Sequence, residues 1–417
     1  KIDASILPAM GYEILKVCFH QQNSQEMIGD VQILENGAEN QYLKMFIQKD
    51  GTISVENKKT KEVYHHLNAF VEKGDDGDEY NYSPCGNDKE ISIYHNQPTI
   101  TCIESSDIEV KYRIEYNAKV PAKVVNHERV QELEALKIIS DVSLKARSQT
   151  IDFTTTIENH SCDHIVRVTF DDLYQSEENC SQDQFGTIIR KNIIENQKSL
   201  EDGATEYVLP MYAMQRFVQL HHQKSIMALI SKGPLEYEIE NNQKICLTLL
   251  RSVGKFGKAD LLIRPGRASG YRMDAPSSQL LNKNITSEYS LFFGIQADMS
   301  KMIQDAEMLN TPVQTRYLND ISRQKNQGLD WQYSAISLDT RVELMALKKA
   351  EHGQYSVIRI VNNRDNDVEN VRFHVPLTKK CYLSDVQEKK KIELENKNGE
   401  IIIKNIMSNT FVTVIIE

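Results

Sequence analysis

The sequence predicts an all-β protein assembled from antiparallel β-sandwich domains. Short runs alternate apolar and polar residues or concentrate β-branched and aromatic ones, and Gly, Asn, Asp and Pro punctuate them. Strands do not alternate with helices, as a parallel doubly wound sheet or a (β/α) barrel would require. At 417 residues, 40% hydrophobic and 26% charged, the chain is globular rather than disordered and too long for one ordinary core.

Taken in order, strands are predicted over 12–19 (YEILKVCF), 41–47 (QYLKMFI) and 91–95 (ISIYH). In 108–116 (IEVKYRIEY) the alternation is strict, the mark of a strand with one face buried. Residues 150–157 (TIDFTTTI) continue the pattern, and 165–170 (IVRVTF), 225–230 (SIMALI), 245–250 (ICLTLL) and 289–295 (YSLFFGI) are more evenly apolar. The last three are 355–361 (YSVIRIV), 400–403 (EIII) and 411–416 (FVTVII), each rich in Val, Ile or Thr. Helical period shows over 301–309 (KMIQDAEML) and 128–136 (ERVQELEAL). These elements divide into an N-terminal β segment over 1–65, a large sandwich over 66–300, a connector with a short helix over 301–330 and a terminal sandwich over 331–417. The polar stretch Gln324-Lys325-Asn326-Gln327-Gly328 marks the connector.

A net charge of −10, from 49 Lys and Arg against 59 Asp and Glu, disfavours nucleic acid or an anionic membrane surface as a general partner. No apolar run approaches the ~20 residues of a membrane span. Seven cysteines, none spaced Cys-x-x-Cys, point to a reducing compartment, expected to be the cytoplasm. The chain opens at Lys1 without a signal segment, and a boundary inside a longer polypeptide is expected.

Two loops hold the candidate chemistry. Residues 251–279 carry Arg251, Lys255, Lys258, Arg264, Arg267 and Arg272 against Asp260 and Asp274, punctuated by Gly and Pro. A guanidinium there can grip a carboxylate, a phosphate or vicinal hydroxyls; equally, these cations can pair with neighbouring acidic loops. Residues 74–84 read GDDGDEYNYSP. They lack the ligand spacing of an EF-hand, and adjacent Asp78 and Glu79 would diverge on an extended chain. An aromatic tip beside carboxylates suits a sugar, while a solvated turn with its tyrosines folded onto the sheet is the plain alternative. His160, Cys162 and His164 have an i, i+2, i+4 spacing, but they lie in an expected hairpin turn where metal ligands would diverge. No phosphate loop, Gly-x-Ser-x-Gly elbow or His-Glu-x-x-His helix occurs.

Several segments in one order carry a family resemblance: 77–84 (GDEYNYSP), Asn159 with 163–170 (DHIVRVTF), 183–186 (DQFG), 210–218 (PMYAMQRFV), 249–254 (LLRSVG) continuing to 264–267 (RPGR), then 344–351 and 357–363. Together they resemble the C-terminal half of glycoside hydrolase family 38, the α-mannosidases, in the bacterial branch that includes mannosylglycerate hydrolases. The resemblance implies a large mutarotase-like supersandwich plus a smaller terminal sandwich, following an N-terminal catalytic domain that this sequence does not contain. That domain would hold the zinc ion and the aspartate nucleophile of a retaining mechanism, leaving this chain without catalytic or metal-binding residues of its own. By motif position, Tyr80 resembles a tyrosine reaching the sugar, with Arg264 or Arg267 and Asp78 as further substrate-binding candidates. The implied partners are a mannose-containing oligosaccharide or mannosyl conjugate, the catalytic domain of the same polypeptide, and a second copy in a homodimer. The rival reading is a stand-alone carbohydrate-binding or scaffolding sandwich without hydrolase activity.

Overall fold

Strand-forming sequence dominates the architecture, and in the computed structural model it resolves into two compact units. The structure describes residues 7, 10–15, 29–192, 203, 205, 207–266, 270–317, 330–376 and 379–417. The larger unit comprises Met27–Ser181 and Ile189–Asn310; the smaller comprises Lys1–Glu26, Gln182–Ile188 and Thr311–Glu417.

Among the described residues two antiparallel sheets face each other, centred on the larger unit. One has nine strands in the spatial order Thr187–Lys191, Glu178–Gln182, Phe217–Leu220, Ser225–Lys232, Lys283–Ile295, Thr150–Asn159, Leu133–Lys145, Glu109–Pro121 and Thr99–Ser105. The other has ten: Met211–Ala213, Glu236–Glu240, Lys244–Ser252, His164–Asp171, Val63–Gly74, Ile53–Asn57, Leu43–Ile47, Gly37–Glu39 and Gln32–Leu34, with Ile91–Ser92 pairing beside Val63–Gly74. Along Glu109–Pro121 every second residue, Val110, Tyr112, Ile114, Tyr116, Ala118 and Val120, enters the core, as period-2 alternation requires. Aromatic pairs such as Phe70–Tyr116 and Tyr64–Phe293 join the two layers. A buried polar bridge joins them too: the Tyr289 hydroxyl donates to Asn68 Oδ1 at 2.9 Å, and the Asn68 amide donates to Ser140 Oγ at 3.1 Å.

The predicted helix forms as Met299–Asn310 and presses Met302, Ile303 and Ala306 onto Phe217, Ile226, Ala228, Ile230 and Phe292 of the nine-stranded sheet. In the smaller unit a four-stranded sheet supplies Val371, Phe373, Ile401 and Ile403, and a five-stranded sheet supplies Ile358, Ile360, Val414 and Ile416, to a second core.

Four expectations differ from what is observed. Residues 128–136 are not helical: Glu128–Arg129 closes a hairpin with Val124–Val125, and Leu133–Lys145 pairs along both edges with long strands, a tertiary arrangement that overrides helix propensity. Among the described residues of the 12–19 region, Tyr12 and Glu13 alone are strand, at the end of Gly11–Glu13, which pairs with Gln332–Ser334; 16–19 fall outside the described residues. Ile91–Ser92 yields at once to a 3-10 turn over Ile93–His95. The 1–65 segment divides between the units, because strands from Gln32 to Asn57 belong to the sheet that contains Val63–Gly74.

Candidate functional site: two charged loops locked together

The strand Val63–Gly74 runs into the acidic loop, and Lys244–Ser252 runs into the basic one; both strands flank His164–Asp171. Adjacent strand ends therefore deliver opposite charges to one place, although the sequences lie some 180 positions apart. Three carboxylates of the acidic loop are buried: Asp75 and Asp78 are 0% and Asp76 is 3% exposed. Burial of this kind is tolerated only when each charge is matched and hydrogen-bonded.

The basic loop supplies the matches. Arg251 Nε donates to Asp75 Oδ2 at 2.7 Å, and its Nη2 donates to the Asp78 carbonyl at 3.1 Å. Burial works against the Arg251 charge, yet Asp75 beside it prevails and holds the guanidinium above its ordinary pKa. Arg264, 0% exposed, donates from Nη2 to Asp78 Oδ2 at 2.6 Å and to the Lys258 carbonyl at 3.2 Å, and from Nη1 to Asn81 Oδ1. The second Asp78 oxygen accepts the backbone N–H groups of Tyr80 at 3.0 Å and Asn81 at 2.9 Å, an Asx turn that shapes the tip. Asp76 takes the Lys258 ammonium on one oxygen and faces His127 Nδ1 at 2.5 Å on the other. Gly77 is required here, since a Cβ would lie 2.1 Å from the Asn81 carbonyl oxygen.

Out of this framework Tyr80 projects, 49% exposed, its ring edge-on to Phe256 at 5.2 Å. The chain of the basic loop passes against it: a Cβ on Gly270 would meet the Tyr80 hydroxyl at 2.9 Å, and Tyr271 beyond is 83% exposed. Glu79, also exposed, receives the Ser278 hydroxyl. The surface so formed is an aromatic tip with hydroxyl and carboxylate groups around it, suited to ring stacking and hydroxyl recognition.

Tyr80, Asp78 and Arg264 are thus brought together, whereas Arg267 lies outside the described residues. Their surroundings differ sharply: Tyr80 meets solvent, while Asp78 and Arg264 are sealed against each other. Sequence reasoning did not single out Asp75, Asp76 or His127; the first two sit in the acidic run, and the signal for His127 is an Asn-His pair between two β-branched and charged dipeptides, a two-residue turn. The His160 to His164 stretch does not converge. His164 is buried between Glu72 and Asn159, His160 is exposed beside Asn282, and burial pushes the Cys162 thiol up to about 11. Among the described residues no group of three or more His, Cys, Asp or Glu side chains could hold a metal ion.

A "Putative mannosylglycerate hydrolase" of Halalkalibacterium halodurans is 25% identical over 257 residues, covering 58% of this chain and 28% of that protein. The crystal structure of an α-mannosidase from Enterococcus faecalis V583 is similar in fold, with a TM-score of 0.75 and 21% identity over 92% of this chain and 42% of that one. A second Enterococcus faecalis structure, a protein in glycosyl hydrolase family 38, has a TM-score of 0.77 and 20% identity over 95% of this chain and 46% of that one. The chain therefore spans less than half the length of each of these relatives. The Glycosyl hydrolases family 38 C-terminal domain matches residues 38–255, more than half the sequence and both strand ends of the loop pair, and the chain belongs to that family.

Proposed function

We propose that this chain is the non-catalytic half of a retaining, zinc-dependent α-mannosidase and forms one wall of its sugar cleft. The observation that carries the reading is a half-exposed tyrosine on a loop whose buried charges are all engaged internally. Such a loop presents Tyr80 at low conformational cost, and its hydroxyl can donate to or accept from a sugar hydroxyl. Asp78 and Arg264 act in this reading by fixing the loop rather than by touching substrate, because neither meets solvent. Arg267 is retained as a second contact for hydroxyls or a carboxylate on the strength of its RPGR motif. The nucleophile, the acid/base and the zinc ligands belong to residues beyond this sequence, in keeping with its partial coverage of its relatives.

Two measurements test the proposal. The purified chain should release no product from an aryl α-mannoside with or without zinc, and turnover by the chain would overturn it. In the full-length enzyme Tyr80→Phe should lower kcat/KM by an amount equivalent to about 1–3 kcal/mol; an unchanged value removes the tyrosine contact. The stand-alone carbohydrate-binding reading is favoured by one fact, that the Tyr80 surface forms within a single unit of the chain. It is decided by the complete open reading frame: a hydrolase domain within it defeats that alternative.

A further inference from the structure

We propose that His127 is a positioning residue that clasps the Tyr80 loop through Asp76; only its consequence for turnover rests on the sugar-wall reading. The hairpin of Val124–Val125 and Glu128–Arg129 turns through two residues, Asn126 and His127, with φ of +51° and +66°. Two-residue turns with both φ positive favour glycine at the second position, because a Cβ in left-handed backbone crowds the following carbonyl. An imidazole is held here against that preference, and backbone strain persists where the surroundings use the side chain.

The use is visible in the contacts. Nδ1 of His127 lies 2.5 Å from Asp76 Oδ2, and Nε2 lies 3.7 Å from Asp260 Oδ2. Asp76 is 3% exposed and takes the Lys258 ammonium on its other oxygen, so the hairpin, the acidic loop and the basic loop meet at one carboxylate. On the far side of Tyr80 the Gly86 N–H donates to the His127 carbonyl at 2.8 Å. The hairpin tip is therefore fastened to the loop before and after its exposed tyrosine. Asp78 and Arg264 hold the middle; His127 holds the two ends.

His127→Gly tests this directly, since glycine relieves the turn and keeps the fold. Hydrogen exchange in the 417-residue chain should show the amides of residues 77–83 exchanging at least tenfold faster, with those of Glu109–Pro121 unchanged. Asp76→Asn should accelerate the same amides, and the double variant should behave as Asp76→Asn alone. Unchanged loop exchange in His127→Gly, acceleration shared by the core strand, or additive effects in the double variant would each overturn the clasp. In the full-length enzyme kcat/KM on an aryl α-mannoside should fall in His127→Gly. Faster loop exchange with unaltered turnover supports the clasp and removes the sugar-wall reading instead.

Discussion

At the Asp78–Arg264 contact two opposite charges sit without water, and the contrast with their neighbour Tyr80 makes a quantitative expectation. Removing one partner of a buried pair strands the other, at a cost of about 3–5 kcal/mol, so Arg264→Met should lower the urea midpoint steeply. Tyr80→Phe, at a half-exposed site, should move stability by less than about 0.5 kcal/mol. If Arg264→Met unfolds at the wild-type midpoint, the locked-loop description is wrong. Thiol chemistry offers a second residue-level check. Burial pushes Cys85 up to about 12 and Cys381 up to about 11, while Cys102 is exposed on the edge strand Thr99–Ser105. Iodoacetamide at pH 8 should alkylate Cys102 first among the described cysteines, as read by peptide mass mapping. The residue scale is also where the sequence was least legible. Six cations and a run of acids were plain in the two loops, yet nothing local said that Arg251 would choose Asp75 or that Arg264 would vanish from solvent, because pairing is decided by which strand ends adjoin.

Among the elements, those with an uninterrupted period and the evenly apolar runs at 165–170, 225–230, 245–250 and 289–295 formed as expected, and 128–136 did not. Strict alternation over 108–116 and the apolar stripe of 301–309 each admit a single burial solution. Residues 128–136 place Leu133 and Leu136 three apart, as a helix would, but Leu133 is 52% exposed and Leu136 fully buried, and only the neighbouring strands reveal the choice. The helix Met299–Asn310 carries an oddity with a pH signature. Burial holds the Asp305 carboxyl above its ordinary value, with the Lys301 pair opposing. A raised acid favours the native state below its unfolded value of 3.8 and loses that contribution as pH rises through the folded value. Asp305→Asn should therefore melt above wild type at pH 7, and the gain should disappear below about pH 4. The lost Lys301 pair, ordinarily about 0.3–0.5 kcal/mol, recovers only part of the difference. A melting temperature lower than wild type at pH 7 would contradict the burial argument.

For the molecule as a whole, two hydrophobic cores with no shared members make a single two-state transition an unsafe expectation. Phe373→Ala, costing about 3–5 kcal/mol in the smaller core, should displace one calorimetric transition and leave the other in place; one joint shift would show that the cores melt together. The all-β class was open to sequence reading, because alternation and turn residues are local. The assignment of residues 32–57 to the larger sandwich was not, since sheet membership depends on partners far along the chain. That distance bears on synthesis. The carboxylates of Asp75 and Asp78 find their guanidiniums 176 and 186 positions later. A ribosome adding residues from the N-terminus must therefore leave the aromatic tip unset until residue 264 has emerged, and a nascent chain halted at 250 carries Val63–Gly74 and His164–Asp171 whole but neither guanidinium to seat it.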